Sequence, residues 1–411
     1  MKTIQNITLF LLLLILNSCS NTYYNRSTFK FPSPVDTRNK KIEFQLKKQY
    51  DIGTIHADNM FDGARMNDFK RIDNDKYEVL VKPENTPINN SAWYAFRIWS
   101  DSISKVVIKI RYVNGTHRYS PKYSFDRKKW TVIDPNIIDN AEDGSYITFP
   151  LTLTKNIMWI AAQEIINSGD VKIWIDSLKG SPRVSEVMSI GKSTLGRDIP
   201  FFRIGKGKSK GKNIIVLMSR QHPPETTGFI ALKSFIDELL IKNTLSEKFF
   251  NTFDIWVFPL LNPDGVDLGH WRHNANGVDL NRDWAYYRQK EIDIITNFIV
   301  DKAKVNKNKV LLGLDFHSTQ KDIYYAYNNS FHTKLRLFTK YWIESIDRLV
   351  YPFSTIYSPE PLSKPYSKTW FYMQFKGESL TYEVGDNTPK GIINHKAKVA
   401  AVTMMDLLVK K

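Results

Sequence analysis

One cysteine, Cys19, stands among 411 residues, so no disulfide within the chain can brace the fold. Stability has to come from a packed interior, as a chain of this length allows. Long hydrophobic runs are scarce too. The apolar stretch from Leu9 to Leu16 is too short to cross a bilayer as a permanent helix. Internal repeats and low-complexity tracts are absent, which excludes solenoids and collagen-like rods. Acidic residues are in deficit, with 42 Asp and Glu against 58 Lys and Arg, for a formal net charge of +16. The excess is Lys scattered along the chain, broken only by short clusters such as "KGKSKGK" (206–212). Without a basic arm or a nucleic-acid module, this reads as a solvated surface, and no nucleic-acid partner is expected. What is abundant is aromatic carbon: 24 Phe, 20 Tyr and 10 Trp fill a sizeable core, with room for two or three domains.

The stretch "MKTIQNITLFLLLLILNSC" has one Lys near its start, an apolar run, small or polar residues and then Cys19. That layout is an export signal. "LNSC" resembles a bacterial lipobox, which implies cleavage before Cys19 and lipidation of its thiol and new amino group. The expected division is a lipoprotein signal peptide over 1–18, a tether over 19–40, a β-sandwich domain over 41–180 and a catalytic domain over 181–411. The protein would be exported to the cell envelope and lipid-anchored to a membrane, on its periplasmic or outer face.

The chain changes grammar twice. From about 41 to 180, short runs alternate between apolar and polar residues. "KVVIKIRY" puts Val106, Ile108, Ile110 and Tyr112 on one face and Lys105, Lys109 and Arg111 on the other. "AWYAFRIW", "KWTVI", "SYITFPL" and "DVKIWID" follow between Gly, Asn, Asp and Pro turns. They predict strands of an antiparallel β-sandwich. After "KGSPR" (179–183), unalternating apolar runs interleave with helical stretches: "NIIVLM" then 226–241, "FDIWVFPLL" then 284–304, "KVLLGLDF" then 333–349, with a last helix at 395–409. Strands buried on both faces and separated by helices predict an α/β domain with a mixed, largely parallel sheet and helices on both faces.

Such sheets hold ligands at the carboxyl ends of their strands. In chain order those ends present "QHPPE", "NPDG", "FHST" and "YEVGD", which carry His222 and Glu225, Asn262 to Gly265, His317, and Glu383. Two His and one Glu form an open catalytic zinc set with the fourth position left for water. Between the second and third ends lies "GHWRHNANGVDLNRDW", with Arg272, Asn281 and Arg282. A guanidinium grips a carboxylate as a two-pronged fork and also stabilises an oxyanion. One zinc ion, a carboxylate base and two arginines are what removal of a C-terminal residue requires.

In order, "HPPE", "NPDG", "HWRHN", "GVDLNRDW", "FHST" and "LTYE" resemble the motifs of the carboxypeptidase A-like zinc metallocarboxypeptidases, over about 183–411. The upstream "SAWYAFRIW" and "YSFDRKKWTVI" are similar, less specifically, to the β-sandwich of the cytosolic-carboxypeptidase-like branch. The resemblance implies that His222, Glu225 and His317 hold zinc. It makes Glu383 the general base that later protonates the leaving amine, and Arg272 the group that polarises the scissile carbonyl and holds the oxyanion. Asn281 and Arg282 would clamp the substrate's terminal carboxylate.

Two features depart from the family pattern. A substrate-covering tyrosine is not at the expected spacing, and Tyr357, Tyr366 and Tyr372 all stay open. Trp370 lies thirteen residues before Glu383, the family's step, which would set Lys368 on the floor of the terminal side-chain pocket. There its ammonium would attract a second carboxylate. His270 and His273 read as loop residues. An amidase of the aspartoacylase or desuccinylase kind shares HxxE and a later His, but "NPDG" and "GVDLNRDW" speak against it. A non-catalytic peptide- or glycan-binding lipoprotein would not need Glu383, Arg272 and three ligands together. Substrates remain open among peptide and protein C-termini, peptidoglycan stem peptides included.

Overall fold

The structure is a computed structural model that describes residues 25–31, 36–328 and 330–410. Cys19, the signal sequence and the start of the expected tether lie outside the described residues. Among the described residues, no helix is long and apolar enough to cross a membrane.

The first part is β-rich. One sheet orders its strands Gln49–Ile52, Ile55–Asp58, Ala95–Ser100, Met158–Ala161, Lys122–Ser124 and Thr131–Val132. A second orders Asp68–Arg71, Lys76–Val81, Ser104–Tyr112, Tyr146–Leu153 and Asp139–Asn140. The alternation in "KVVIKIRY" appears as Val106, Ile108, Ile110 and Tyr112 buried. Both sheets feed one apolar cluster, Phe96, Ile98 and Ile160 from the first, Val79, Ile108 and Phe149 from the second. The pairing is not wholly antiparallel, because Lys76–Val81 runs parallel to Ser104–Tyr112. The chain between them passes through Ala95–Ser100 in the other sheet, and that crossover returns it in the same direction.

"DVKIWID" is a helix, Ser168–Leu178, where alternation suggested a strand. Its buried residues Val171, Trp174, Ile175 and Leu178 follow helical spacing, and Ile173 faces solvent. Asn167 and Asp170 close a capping box at its start. The apolar face packs with Phe202, Ile204 and Phe229 of the α/β part. Residues 25–31, expected in a tether, also lie against that part: Arg26 pairs with Asp293, and Gln374 Nε2 donates to Asn25 O at 2.8 Å.

The second part is built on an eight-stranded sheet in the order Val184–Lys192, Asp198–Ile204, Phe253–Phe258, Asn213–Ser219, Lys309–Thr319, Glu378–Gly385, Ile323–Tyr327 and Ile356–Glu360. The four central strands are parallel, an antiparallel neighbour flanks them on each side, and the edge strand Ile356–Glu360 runs parallel to Ile323–Tyr327. Side chains alternate between two apolar layers. Ile215, Leu217, Leu314 and Phe316 meet helices Thr226–Leu239, Phe338–Val350 and Lys390–Val409, while Val216, Met218 and Trp256 meet Lys290–Asn306 and Ser367–Phe375. This is the mixed α/β arrangement expected, with helices on both faces.

Candidate active site

The carboxyl ends of the central strands converge. The chain leaves Asn213–Ser219 through Arg220, at φ +57°, into a turn that carries His222 and Glu225 just before helix Thr226–Leu239. His317 sits near the end of Lys309–Thr319, paired in register with Glu383 on the adjoining parallel strand. The candidate base and one candidate ligand are therefore lateral neighbours. The helix approaches the His317 strand so closely that a Cβ on Gly228 would stand 2.5 Å from His317 O. Ser318 Oγ locks the contact by accepting from Gly228 N at 2.9 Å. Glycine is needed here for close approach.

His222, Glu225 and His317 are buried, and their ligand atoms all lie within 4.8 Å of one another. His222 Nδ1 is 2.8 Å from Glu225 Oε1, and His317 Nδ1 is 2.7 Å from Glu225 Oε2. The other ring nitrogens are held from behind. His222 Nε2 meets Asp279 Oδ1 at 2.9 Å, and His317 Nε2 meets Asp315 Oδ2 at 2.9 Å. A proton held on Nε2 by a carboxylate leaves the Nδ1 lone pair free for a metal. Burial opposes protonation of His317, yet Asp315 and Glu225 outweigh it and raise its pKa well above the ordinary imidazole value. The pocket favours positive charge between these groups. The donor set thus fits zinc by ligand type, convergence and outer-shell support.

Asp279 has a second task. Its Oδ2 accepts from Arg272 Nε at 2.7 Å, so one carboxylate orients both a candidate ligand and the candidate oxyanion-holding arginine. Its Oδ1 also accepts from Asn281 N at 2.9 Å. Behind Asp315, Gln221 and Ser367 donate to its Oδ2, and Trp284 Nε1 fixes Gln221 at 2.9 Å. "NPDG" serves as a brace. Asn262 caps helix Pro263–Leu268 through Gly265 N and ties Gln221 O to His273 O with its amide.

The β-rich part reaches into the site. The carboxylate of Glu84, fully buried, accepts from the backbone N–H of Trp271 at 2.7 Å, Arg272 at 3.0 Å and His273 at 2.6 Å. Burial would raise this acid, but His270, His273, Arg65 and the backbone donors prevail and hold its pKa down at about 2. Trp271 is buried in the β-rich cluster. Arg118 donates to Asp386 at 2.9 Å and to Asn90 O, and its side chain also lines the cavity.

That cavity, of about 250 Å³, is walled by His222, Glu225, His317, Glu383, Arg272, Asn281 and Arg282 together with Arg118, Tyr325, Glu360, Tyr366 and Thr381. Every residue singled out in the sequence as ligand, base, oxyanion group or clamp lies on it. It shares Asn89, Arg272, Arg282 and Tyr366 with a larger cavity of about 670 Å³ that opens toward Arg38 and Arg288. Glu383 Oε2 is buried and has no hydrogen-bond partner among the described residues. Burial first, then Glu225, push the Glu383 carboxyl far above its ordinary range, against the pull of His317 and Arg272. Asn281 Oδ1 accepts from Ser367 N at 2.9 Å, and the Arg282 guanidinium lies 4.4 Å from the Tyr366 ring centroid.

Of the three open tyrosines, Tyr366 lines the cavity. Tyr357 donates to Tyr327 O, and Tyr372 packs on Tyr327 and Phe331. His270 and His273 are buried loop residues, with His273 Nδ1 2.6 Å from Asn85 Oδ1. Lys368 does not line the cavity. Its side chain is 1% exposed and its Nζ donates to Glu360 Oε2 at 2.9 Å. Spacing from Trp370 placed its backbone near the cavity but not its side chain, because Lys368 lies in helix Ser367–Phe375 and points toward Ile356–Glu360. Sequence reading missed Asp279, Asp315, Glu84, Arg118 and Glu360. Asp279 and Asp315 stood two or three residues from marked positions, whereas Glu84 and Arg118 come from the other part of the chain.

The sequence profile of the zinc carboxypeptidase family matches residues 171–391. Human cytosolic carboxypeptidase 2 is 24% identical over 325 residues, covering 71% of this chain and 35% of that protein. Mouse cytosolic carboxypeptidase 3 is 21% identical over 323 residues, covering 71% and 30%. The chain thus spans about a third of the length of these curated relatives. Among solved structures, a metallo-carboxypeptidase from Burkholderia cenocepacia superposes with a TM-score of 0.71 at 19% identity, over 87% of this chain and 99% of that one. A metallo-carboxypeptidase from Pseudomonas aeruginosa, in complex with (2-guanidinoethylmercapto)succinic acid, gives 0.70 at 17% identity, over 86% and 98%. At these identities the structural likeness is one of fold.

Proposed function

The chain belongs to the zinc carboxypeptidase family, and on that premise we propose that it hydrolyses the C-terminal peptide bond of peptides or proteins. The observation that carries this reading is the single cavity that joins the His222, Glu225 and His317 set to Glu383, Arg272, Asn281 and Arg282. His222, Glu225 and His317 would hold one zinc ion. Zinc, when bound, supplies a Lewis acid for the scissile carbonyl and brings the pKa of a water to about 7.

The protein's own groups do the rest. Arg282 and Asn281 bind the terminal carboxylate and so select chain ends over internal bonds. Arg272, held by Asp279, stands ready for the negative charge that develops on the carbonyl oxygen. Glu383 takes the proton of the attacking water and delivers it to the departing amine. Its burial makes it a stronger base than a surface carboxylate. Tyr366, stacked on Arg282, covers the bound end.

Zinc-loaded protein should release single C-terminal residues, read by mass spectrometry, and spare the same peptides with an amidated end. Glu383→Gln should keep its metal and lose about 10²-fold or more in kcat. Equal cleavage of amidated peptides would sink the clamp, and near-normal kcat in Glu383→Gln would sink the base.

We read the two N-terminal sheets, which share one core, as a sandwich, and propose a division at about 163–167, ahead of helix Ser168–Leu178, in place of one near residue 180. Lipidation at Cys19 would fix the enzyme to a membrane in the cell envelope. Cys19→Ser should then move the protein into the soluble exported fraction, and its continued sedimentation with membranes would refute the anchor.

A further inference from the structure

Glu360 stands apart from the machinery described above. Among the arginines on the cavity, Arg272 pairs with Asp279, Arg282 approaches the same carboxylate at 3.6 Å, and Arg118 pairs with Asp386. Glu360 Oε2 accepts from Lys368 Nζ, while Oε1 has no hydrogen bond among the described residues. The Glu360 side chain is 36% exposed and the Lys368 side chain 1%, so the carboxylate stands between the ammonium and the cavity. An incoming group meets oxygen there.

The position of this oxygen follows from the sheet. Thr381, two residues before Glu383, shares the face of the base. Tyr325 is paired with Thr381 on the next strand, and Glu360 is paired with Tyr327 on the strand beyond. Thr381, Tyr325 and Glu360 therefore make one wall that runs outward from Glu383. The same wall is tied to the clamp. Ser367 N donates to Asn281 Oδ1, and the next residue, Lys368, holds Glu360. Asn281, Arg282 and Arg272 line the same cavity as this wall, so a substrate with its terminal carboxylate on the clamp would have the wall within that cavity for its last side chain.

We propose that Glu360 selects a terminal residue with a cationic side chain, such as Lys, Arg or another amine-bearing residue, and that Lys368 is a positioning residue for it. The inference rests on the carboxypeptidase reading of the site. The pair of a buried Lys368 and a partly exposed Glu360 is a dipole with its negative end toward the cavity. A cationic head would continue the alternation of charge that begins with the Lys368 ammonium and the Glu360 carboxylate. A terminal Glu or Asp would set carboxylate against carboxylate in a partly dry cavity, which is repulsive discrimination. This reverses the preference expected if Lys368 itself faced the substrate.

The test compares kcat/KM for acylated tripeptides ending in Lys, Leu and Glu. Wild type should favour Lys over Glu by about tenfold or more. Glu360→Gln, which keeps an oxygen for Lys368, should lose about tenfold on Lys while Leu changes little. A wild-type ranking with Glu or Leu first, or a ranking unchanged by Glu360→Gln, overturns the proposal. A readout independent of turnover is calorimetric binding of the Lys-ended and Glu-ended peptides to Glu383→Gln protein. Tighter binding of the Lys peptide supports Glu360, and equal or tighter binding of the Glu peptide overturns it. Failure to release any of the three residues would instead count against the carboxypeptidase reading, and the binding measurement would still decide Glu360.

Discussion

Asp279 shows how much one side chain can coordinate. It holds the Nε2 of His222, the Nε of Arg272 and the backbone N–H of Asn281 in one place. Asp279→Asn keeps the shape and removes the charge. Zinc affinity should fall about 10- to 100-fold, as for other outer-shell partners of metal-bound histidines, measured by competition with a chelator. Unchanged affinity would mean that Asp279 does not act on the metal through His222. Glu84 works at longer range and carries a pH signature. Its pKa falls from an ordinary 4.5 to about 2 on folding. A depressed carboxylate stabilises the fold fully above the unfolded value, and the contribution is lost as pH falls toward the folded one. Between about pH 5 and pH 2 this one group should cost the fold about 3 kcal/mol. Glu84→Gln should be less stable at pH 7 and show a shallower loss in acid, by denaturant unfolding at each pH. Parallel acid profiles for the two proteins would rule out Glu84 as a contributor.

At the scale of elements, the site depends on how closely helix Thr226–Leu239 can approach strand Lys309–Thr319. Gly228 sets that distance, because any Cβ there meets His317 O at 2.5 Å. Gly228→Ala has to push helix and strand apart, which moves His222 and Glu225 away from His317. Overpacking of this kind costs about 1–3 kcal/mol. The expected result is a lower Tm together with weaker zinc binding, and a variant with normal values for both would show that the junction can absorb a methyl group. The helix itself was legible, since residues 229, 230, 232, 235, 236, 239 and 240 form an apolar stripe, and all are buried except Leu240, which is half-buried at the C-cap. Helix Ser168–Leu178 was misread because "VKIWI" also alternates. Its capping box and the spacing of Val171, Trp174, Ile175 and Leu178 were the better signals.

At the scale of the whole molecule, the two parts share one site. The Arg272 loop is pinned by Glu84 and by Trp271, which is buried among β-rich residues, and Gln163 Nε2 donates to Asp386 O at 2.7 Å. A fragment of residues 164–411 would expose Trp271 and leave the backbone donors of its loop unmatched. It should aggregate or unfold at a lower temperature than the full chain, and any folded portion should lose kcat/KM through Arg272. A fragment with full stability and activity would reduce the β-rich part to an appendage.

The α/β alternation, the strand ends and the residue types gathered there were all readable along the chain, because buried strands, amphipathic helices and metal donors leave local patterns. The candidate ligands, base and clamp were marked by such patterns and by the family resemblance they carry, and the structure brings all of these residues to one cavity. Tertiary structure alone decided which groups stand behind them and which side chain, Glu360 or Lys368, lines the cavity. Glu84 is 188 residues from Arg272 in the chain, and no local pattern encodes a contact of that span. The exchange of Lys368 for Glu360 has the same origin. Spacing along a helix fixes where a backbone passes, but the direction of its side chains depends on the strand packed beside it.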